Sequence, residues 1–472
     1  MRPILRTALA LLATAATAAH AQQSRSLAIA IDSMANAYLA SPPVPGVSVA
    51  VVRGRDTIVM RGYGYADLAT RRPAGPTTVY QIGSITKQFT SAAIMRLVEK
   101  GKIHLDDDIS VYLPNFPEQG HHVTVRELLN HTSGIHDYTN QIKTWQPHWA
   151  EDLPPDSIVG FVKRDTFDFA PGTSWSYDNT GYVLLGMIVE KASGKPYADY
   201  LTEQFFKPLH LRQTRYCPNH PTDTTYATGY SIKDGKSVPA AYLSMTQPFA
   251  AGALCSTVRD FLVWQRALNT GHVVSAASYA LMTTPDTIAN GRRLNYGFGL
   301  MAGHLGTHRV IEHSGGIFGF TTDQMWFPDD TLSVIVFTNT DGKNPGLLAG
   351  AIASRVLGVP ARQMANIPRP VALDATLRDE IAGTYAFALP GGGQSNVRVF
   401  VEGRRVYVQG NRLEDMYGVP VTIGAPLLYT GDTTFKAGFD PSFTLHFTSE
   451  NGRVTAATIT QGDKTLEGRR VH

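Results

Sequence analysis

Ser84 and Lys87, in the stretch QIGSITKQFT, stand three residues apart at the start of an apolar helical pattern. Side chains at that spacing share one helix face. The positive end of a helix lowers the cost of negative charge on a hydroxyl oxygen placed there. A lysine desolvated by the apolar helix shifts toward neutrality and can accept the serine proton, which activates the serine as a nucleophile. The same serine would also serve as a plain N-cap, with no chemistry at all. The pair therefore depends on partners: a second proton carrier, and an amide to hold a substrate.

Tyr177-Asp178-Asn179 offers both. It follows a Pro-Gly turn and stands just before the apolar run TGYVLLGMIVE, which would anchor it. Tyr138-Thr139-Asn140 has the same spacing but lies in HTSGIHDYTNQ, with no regular element expected behind it, and ranks below. A third element should be a strand with glycines, so that a substrate backbone can approach and bond to strand N–H groups. His313-Ser314-Gly315-Gly316 ends an apolar run and suits that role, whereas His304-Leu305-Gly306 reads as a turn.

The elements that must position these residues mix helix and strand from about residue 26 to 360. VPGVSVAVVRGRDTIVMRGYGYAD reads as a hairpin of β-branched strands. SITKQFTSAAIMRLVEKGK has Phe89, Ile94, Met95 and Val98 at helical spacing, with Gly101 as its stop. TGYVLLGMIVEKASG is a second apolar helix ending at Gly194. RVIEHSGG, TDQMWFPDD and TLSVIVFTNT are three strand-like runs separated by turns. Together they predict an α+β fold, helices packed on an antiparallel sheet. Beyond the proline-bearing IPRPVALDA the helical period ends. Val397, Val399 and Val401 alternate with polar residues, as do Val406 and Val408, and Asn451-Gly452 is a hairpin turn. The expected division is a hydrolase-like domain over 22–362, a linker over 363–375 and a small all-β barrel over 376–472.

With 472 residues, 43 % hydrophobic and 17 % charged, the chain is long enough for two folded domains. A net charge of +3 spread evenly gives no reason to expect nucleic acid or an anionic membrane as partner. MRPILRTALALLATAATAAHA reads as a signal peptide with a small-x-small site at Ala19-His20-Ala21, predicting a secreted or periplasmic protein whose mature chain starts near Gln22. No later run reaches the roughly 20 apolar residues a membrane span needs. Cys217 and Cys255, the two cysteines, either form a disulfide or remain two buried thiols. His121, His122, His131 and His136 are close in sequence but lack metal-ligand spacing, so no catalytic metal and no cofactor is expected.

Taken in order, Ser84-x-x-Lys87, Tyr177-x-Asn179 and His313-x-Gly315 resemble the motifs of the serine β-lactamase and penicillin-binding-protein superfamily. The tyrosine of the second motif is similar to the class C branch and its relatives, which include esterases, D-alanyl-D-alanine carboxypeptidases and D-aminopeptidases. LLNHTSGIHDY, YDNTGYVLLGMIVEKASG, AGALCSTVRDF and HSGGIFGF also read like that branch. The resemblance implies an acyl-enzyme formed on Ser84, with Lys87 and Tyr177 exchanging the proton. It implies substrate contacts from Asn179, His313, Gly315 and Gly316, and an oxyanion hole from the N–H groups of Ser84 and Gly316. The expected substrate is a small molecule or peptide, an ester or a D-amino-acid-containing amide. β-Lactams are the alternative, and a non-catalytic binding protein is the reading from another class. Histidine at position 313, where class C β-lactamases carry lysine, argues against efficient lactam opening, because an imidazole with an ordinary pKa near 6.5 is mostly neutral at pH 7. The β domain resembles lipocalin-like modules appended to such hydrolases.

Overall fold

The computed structural model describes residues 22–40, 43–233, 235–289, 291, 293–359, 375–388, 394–402, 405–410, 425–437, 443–450, 452–461 and 464–471. The leader read over residues 1–21 and positions 363–374 of the linker lie outside the described residues. Two compact units are formed: one of Met1–Thr173 with Asp178–Val359, the other of Ser174–Tyr177 with Pro360–His472.

The first unit is built on a seven-stranded antiparallel sheet. Its opening hairpin is β1 (Gly46–Arg53) and β2 (Asp56–Asp67), followed by the short β3 (Arg72–Pro73). The chain returns to the sheet more than 200 residues later with β4 (Met301–Leu305), β5 (His308–Ile317), β6 (Phe320–Phe327) and β7 (Leu332–Thr338). The strand order is β3-β2-β1-β7-β6-β5-β4. β1 therefore lies inside the sheet, and its near-continuous apolar run follows from cover on both faces. Val47, Val49 and Val51 face a cluster that contains Ile31 and Tyr38 of α1 (22–40) and Ile352 of a late helix, Gly346–Leu357. Ala50 and Val52 face the larger core.

That core belongs to α2 (Thr86–Glu99), α3 (Asn179–Ser193) and α4 (Val258–Asn269). α2 is buried from Thr86 through Met95, so it runs through the interior, and over that stretch Lys87 is its one charged side chain. α3 ends on Gly194 at φ 72, a left-handed cap that glycine takes without steric cost. Cys217 and Cys255 form a disulfide, resolving the alternative left by the sequence, and join the strands Arg215–Tyr216 and Leu254–Ser256 of a three-stranded sheet. Among the described residues, no helix is long and apolar enough to cross a membrane.

The second unit contains a closed eight-stranded barrel, from Gly383–Ala388 to Lys464–Arg470, whose first and last strands pair at Tyr385↔Arg470. The alternation read in the sequence places Val397, Val399, Val406 and Val408 inside, packed with Tyr385, Phe387, Phe435 and Ile459. Closure leaves no free strand edge.

Candidate active site

Ser84 sits in a 3-10 turn, Gly83–Ile85, that runs directly into α2. The N-cap positions of turn and helix are Ile82 and Ile85, with no side-chain cap, so the serine hydroxyl does not serve as a cap. Ser84 is partly exposed between buried neighbours. Gly83 has φ 52, and a Cβ there would lie 2.8–3.0 Å from the backbone N, C and O of Gly316. A Cβ on Gly315 would fall 2.0 Å from the Ile82 carbonyl oxygen and 2.5 Å from Thr322 Oγ1. Thr322 Oγ1 also donates to Ile82 O at 2.9 Å. Gly315 of β5 and Gly83 of the turn are therefore required by the approach of the strand to the turn bearing Ser84. β5 pairs with β4 only as far as Glu312↔Met301 but with β6 as far as Ile317↔Phe320, so His313–Ile317 keep a single strand partner.

Lys87 is fully buried. Its Nζ donates to Asn179 Oδ1 at 2.8 Å, to the Ala251 carbonyl at 2.9 Å and to Ser84 Oγ at 3.1 Å. The first two are obligate acceptors and occupy two N–H groups. The remaining direction points at Ser84, as an N–H in the ammonium form and as a lone pair in the amine form. The Tyr182 ring, 5.3 Å from Nζ, adds a cation–π contact to the charged form.

Asn179 is oriented from behind. Its Nδ2 donates to Asp137 Oδ2 at 2.9 Å, which fixes the amide so that Oδ1 meets the lysine. Burial pushes the Asp137 carboxyl pKa up, against the pull of its hydrogen bonds from Thr139 and Asn179 and the charge of Lys87. Asp178 caps α3 by accepting from Gly181 N at 3.0 Å, and its own N–H donates to His131 Nδ1 at 3.1 Å. His131 is fully buried, and burial together with the Lys87 charge holds its pKa well below the ordinary range. Tyr177 immediately precedes that cap, with its hydroxyl oxygen shielded from solvent. The competing Tyr138 is not in an open loop as expected. It lies in a 3-10 turn, Tyr138–Asn140, is buried, and donates its hydroxyl to Gln247 O at 3.0 Å, a structural commitment.

His313 departs from expectation. It is 3 % exposed, its Nδ1 donates to Ser314 O at 2.5 Å, and its Nε2 accepts from Tyr296 Oη at 2.9 Å. Burial and the nearby Lys87 charge lower its pKa to about 3. His313 is therefore neutral at pH 7 and stays so into the acid range, because burial and the Lys87 charge disfavour its cation. Asp137, Tyr296 and Ala251 were not singled out from sequence, and His131 was read only as one of four histidines without metal-ligand spacing. Asp137 lay one residue from the rejected Tyr138, and Ala251 within AGALCSTVRDF, but Tyr296 had no signal. The four histidines have separate partners: His121 lies against the Phe167 ring, His122 pairs with Asp108, His136 with Asp168, and His131 is buried. Among the described residues, no group of three or more metal-binding side chains is assembled.

A buried lysine aimed at a serine on a helix start, flanked by an oriented amide and a glycine strand, defines a serine hydrolase of the transpeptidase-like architecture. The beta-lactamase family profile matches residues 31–357, and the chain belongs to that family. It is 31 % identical over 310 residues to penicillin-binding protein 4* of Bacillus subtilis, covering 62 % of this chain and 68 % of that one. It is 28 % identical over 358 residues to the D-aminopeptidase of Brucella canis, covering 75 % of this chain and 68 % of the relative. Among solved structures, the octameric penicillin-binding protein homologue from Pyrococcus abyssi superposes with a TM-score of 0.66 at 26 % identity, over 93 % of this chain and 99 % of that one. The D-amino acid amidase of Ochrobactrum anthropi superposes with a TM-score of 0.62 at 27 % identity, over 71 % and 98 %.

Proposed function

We propose that this serine hydrolase acts through an acyl-enzyme on Ser84, with amides or esters of D-amino acids and small acyl esters as substrates. The observation that carries this reading is the three-way contact of Lys87 Nζ with Ser84, Asn179 and Ala251. Ser84 Oγ attacks the substrate carbonyl while its proton passes to the Lys87–Tyr177 pair. The carbonyl oxygen becomes an oxyanion held by the N–H groups of Ser84 and Gly316, each worth about 3–4 kcal/mol at such a site. The pair returns the proton to the leaving amine or alcohol. Water then attacks the acyl carbonyl by the same route in reverse and regenerates Ser84. The relatives named for D-amino-acid substrates support the substrate class.

β-Lactams rank below amides and esters, since the buried neutral His313 provides no cation for a lactam carboxylate. The leader-like N-terminus supports export, which N-terminal sequencing of protein from a periplasmic fraction would test through cleavage after Ala21. The central test is labelling with a fluorophosphonate and hydrolysis of p-nitrophenyl esters and D-amino-acid amides. Wild type should label and turn over, and Ser84→Ala should do neither while losing about 1 kcal/mol of stability for the hydrogen bond from Lys87. Retained turnover in pure Ser84→Ala overturns the mechanism.

A further inference from the structure

Four aromatic rings form a row beside the site. Centroids are 5.1 Å apart for Tyr138–Trp145, 5.7 Å for Trp145–Trp149 and 4.5 Å for Trp149–Phe318, all edge-to-face. One end follows Asp137, the carboxylate that orients Asn179. The other end, Phe318, lies two residues beyond Gly316. The row thus reaches from the oriented amide to the glycine strand, the two groups that flank Ser84 and Lys87.

Its members differ in what they do. Tyr138 and Trp145 are buried and bond to Gln247, the hydroxyl to the backbone carbonyl at 3.0 Å and the indole N–H to Oε1 at 2.9 Å. Trp149 and Phe318 are only half-buried. The Trp149 indole N–H is shielded from solvent yet finds no acceptor among the described residues. Both residues are held in place. Ser244 N donates to Trp149 O at 2.8 Å. Phe318 starts the two-residue turn between β5 and β6, where Gly319 takes φ 80 and donates its N–H to Asp341 Oδ2 at 2.9 Å. Two half-buried aromatic rings in edge-to-face contact suit a flat or long apolar group better than a methyl.

We propose that Trp149 and Phe318 form the subsite for the group on the acyl side of the scissile bond, and that they select benzyl-sized or long aliphatic acyl groups over acetyl or D-alanyl ones. The proposal rests on the hydrolase reading above. An acyl chain bonded through the Asn179 amide and lying along the single-partnered stretch of β5 passes between the two ends of the row, with its side group against these rings.

The test compares kcat/KM for p-nitrophenyl phenylacetate and p-nitrophenyl acetate, which share a leaving group, in wild type, Trp149→Ala, Phe318→Ala and the ring-conserving Trp149→Phe. Wild type should prefer phenylacetate by at least about tenfold, the order of a well-filled apolar pocket. The ratio should fall toward one in both alanine variants and be largely retained in Trp149→Phe, with fluorophosphonate labelling of Ser84 reporting an assembled site in each. A wild type that turns over both esters without preference, or alanine variants that keep the ratio, overturns the subsite and leaves the hydrolase reading standing. A wild type that neither labels nor turns over sinks the hydrolase reading instead. The subsite is then judged by the tryptophan fluorescence response to 2-phenylacetamide against acetamide, and equal affinities overturn it.

Discussion

Lowering the pH from 7 to 5 challenges the neutral state in which the fold holds His313. In the unfolded chain this imidazole titrates near 6.5. In the folded protein its pKa is lowered to about 3. Between those values the unfolded state binds the proton and the native state does not, so its contribution to stability is complete above about 6.5 and declines as pH falls toward 3. At pH 5 the decline amounts to about 2 kcal/mol, from 1.36 kcal/mol per pH unit over about 1.5 units. Buried His131 acts in the same direction. Buried carboxyls with raised pKa, Glu312 at about 7 among them, act oppositely over this range. The informative quantity is therefore the difference between wild type and His313→Gln. Urea unfolding of both at pH 7 and pH 5 should show the stability gap between them shrinking by about 2 kcal/mol at the lower pH. A gap unchanged within about 0.5 kcal/mol, or an NMR titration placing the imidazole near 6, would refute the assigned burial.

Tyr177→Phe should lower kcat by at least about 10²-fold, the usual size of a lost acid–base group. Tyr138→Phe should instead cost about 1 kcal/mol of stability for its bond to Gln247 and leave most of the rate; exchanged phenotypes would reverse the choice of motif. Asp137→Ala leaves the Asn179 amide without its anchor and free to flip, so kcat should fall about tenfold or more, with a stability loss of about 1–3 kcal/mol. Unchanged kinetics would remove Asp137 from the positioning network. Reducing Cys217–Cys255 should cost about 4 kcal/mol, from the closure entropy of a loop with 38 residues of separation, read as a shift in urea midpoint. Because Leu254 on the bridged strand bonds both Ile82 and Thr86, steady-state turnover should show the same loss in urea below the unfolding transition.

What the sequence determined by itself was whatever short-range geometry dictates. Ser84 and Lys87 share a helix face because the helical repeat puts them there, and Tyr177 and Asn179 flank a helix start because the apolar run after them can only be a helix. The hairpin of β1 and β2, the strands β5 to β7 and the inward valines of the barrel were legible for the same reason: period-two alternation, or an unbroken apolar run, fixes which faces are covered. The tertiary structure alone decided the rest. The lysine is aimed by a carbonyl 164 residues away and an amide 92 residues away. That Tyr138 is buried and bonded to the Gln247 carbonyl, where the sequence offered only a loop, is likewise a product of the interior. Gly83 is required by the approach of the Gly316 backbone and Gly315 by that of the Ile82 carbonyl, a fit that no local pattern encodes. His313 shows the difference most directly: an imidazole's ordinary pKa is a property of its covalent structure, but its protonation in this protein is set by burial and by the Lys87 charge, and those are assembled only when β5 packs against the turn bearing Ser84.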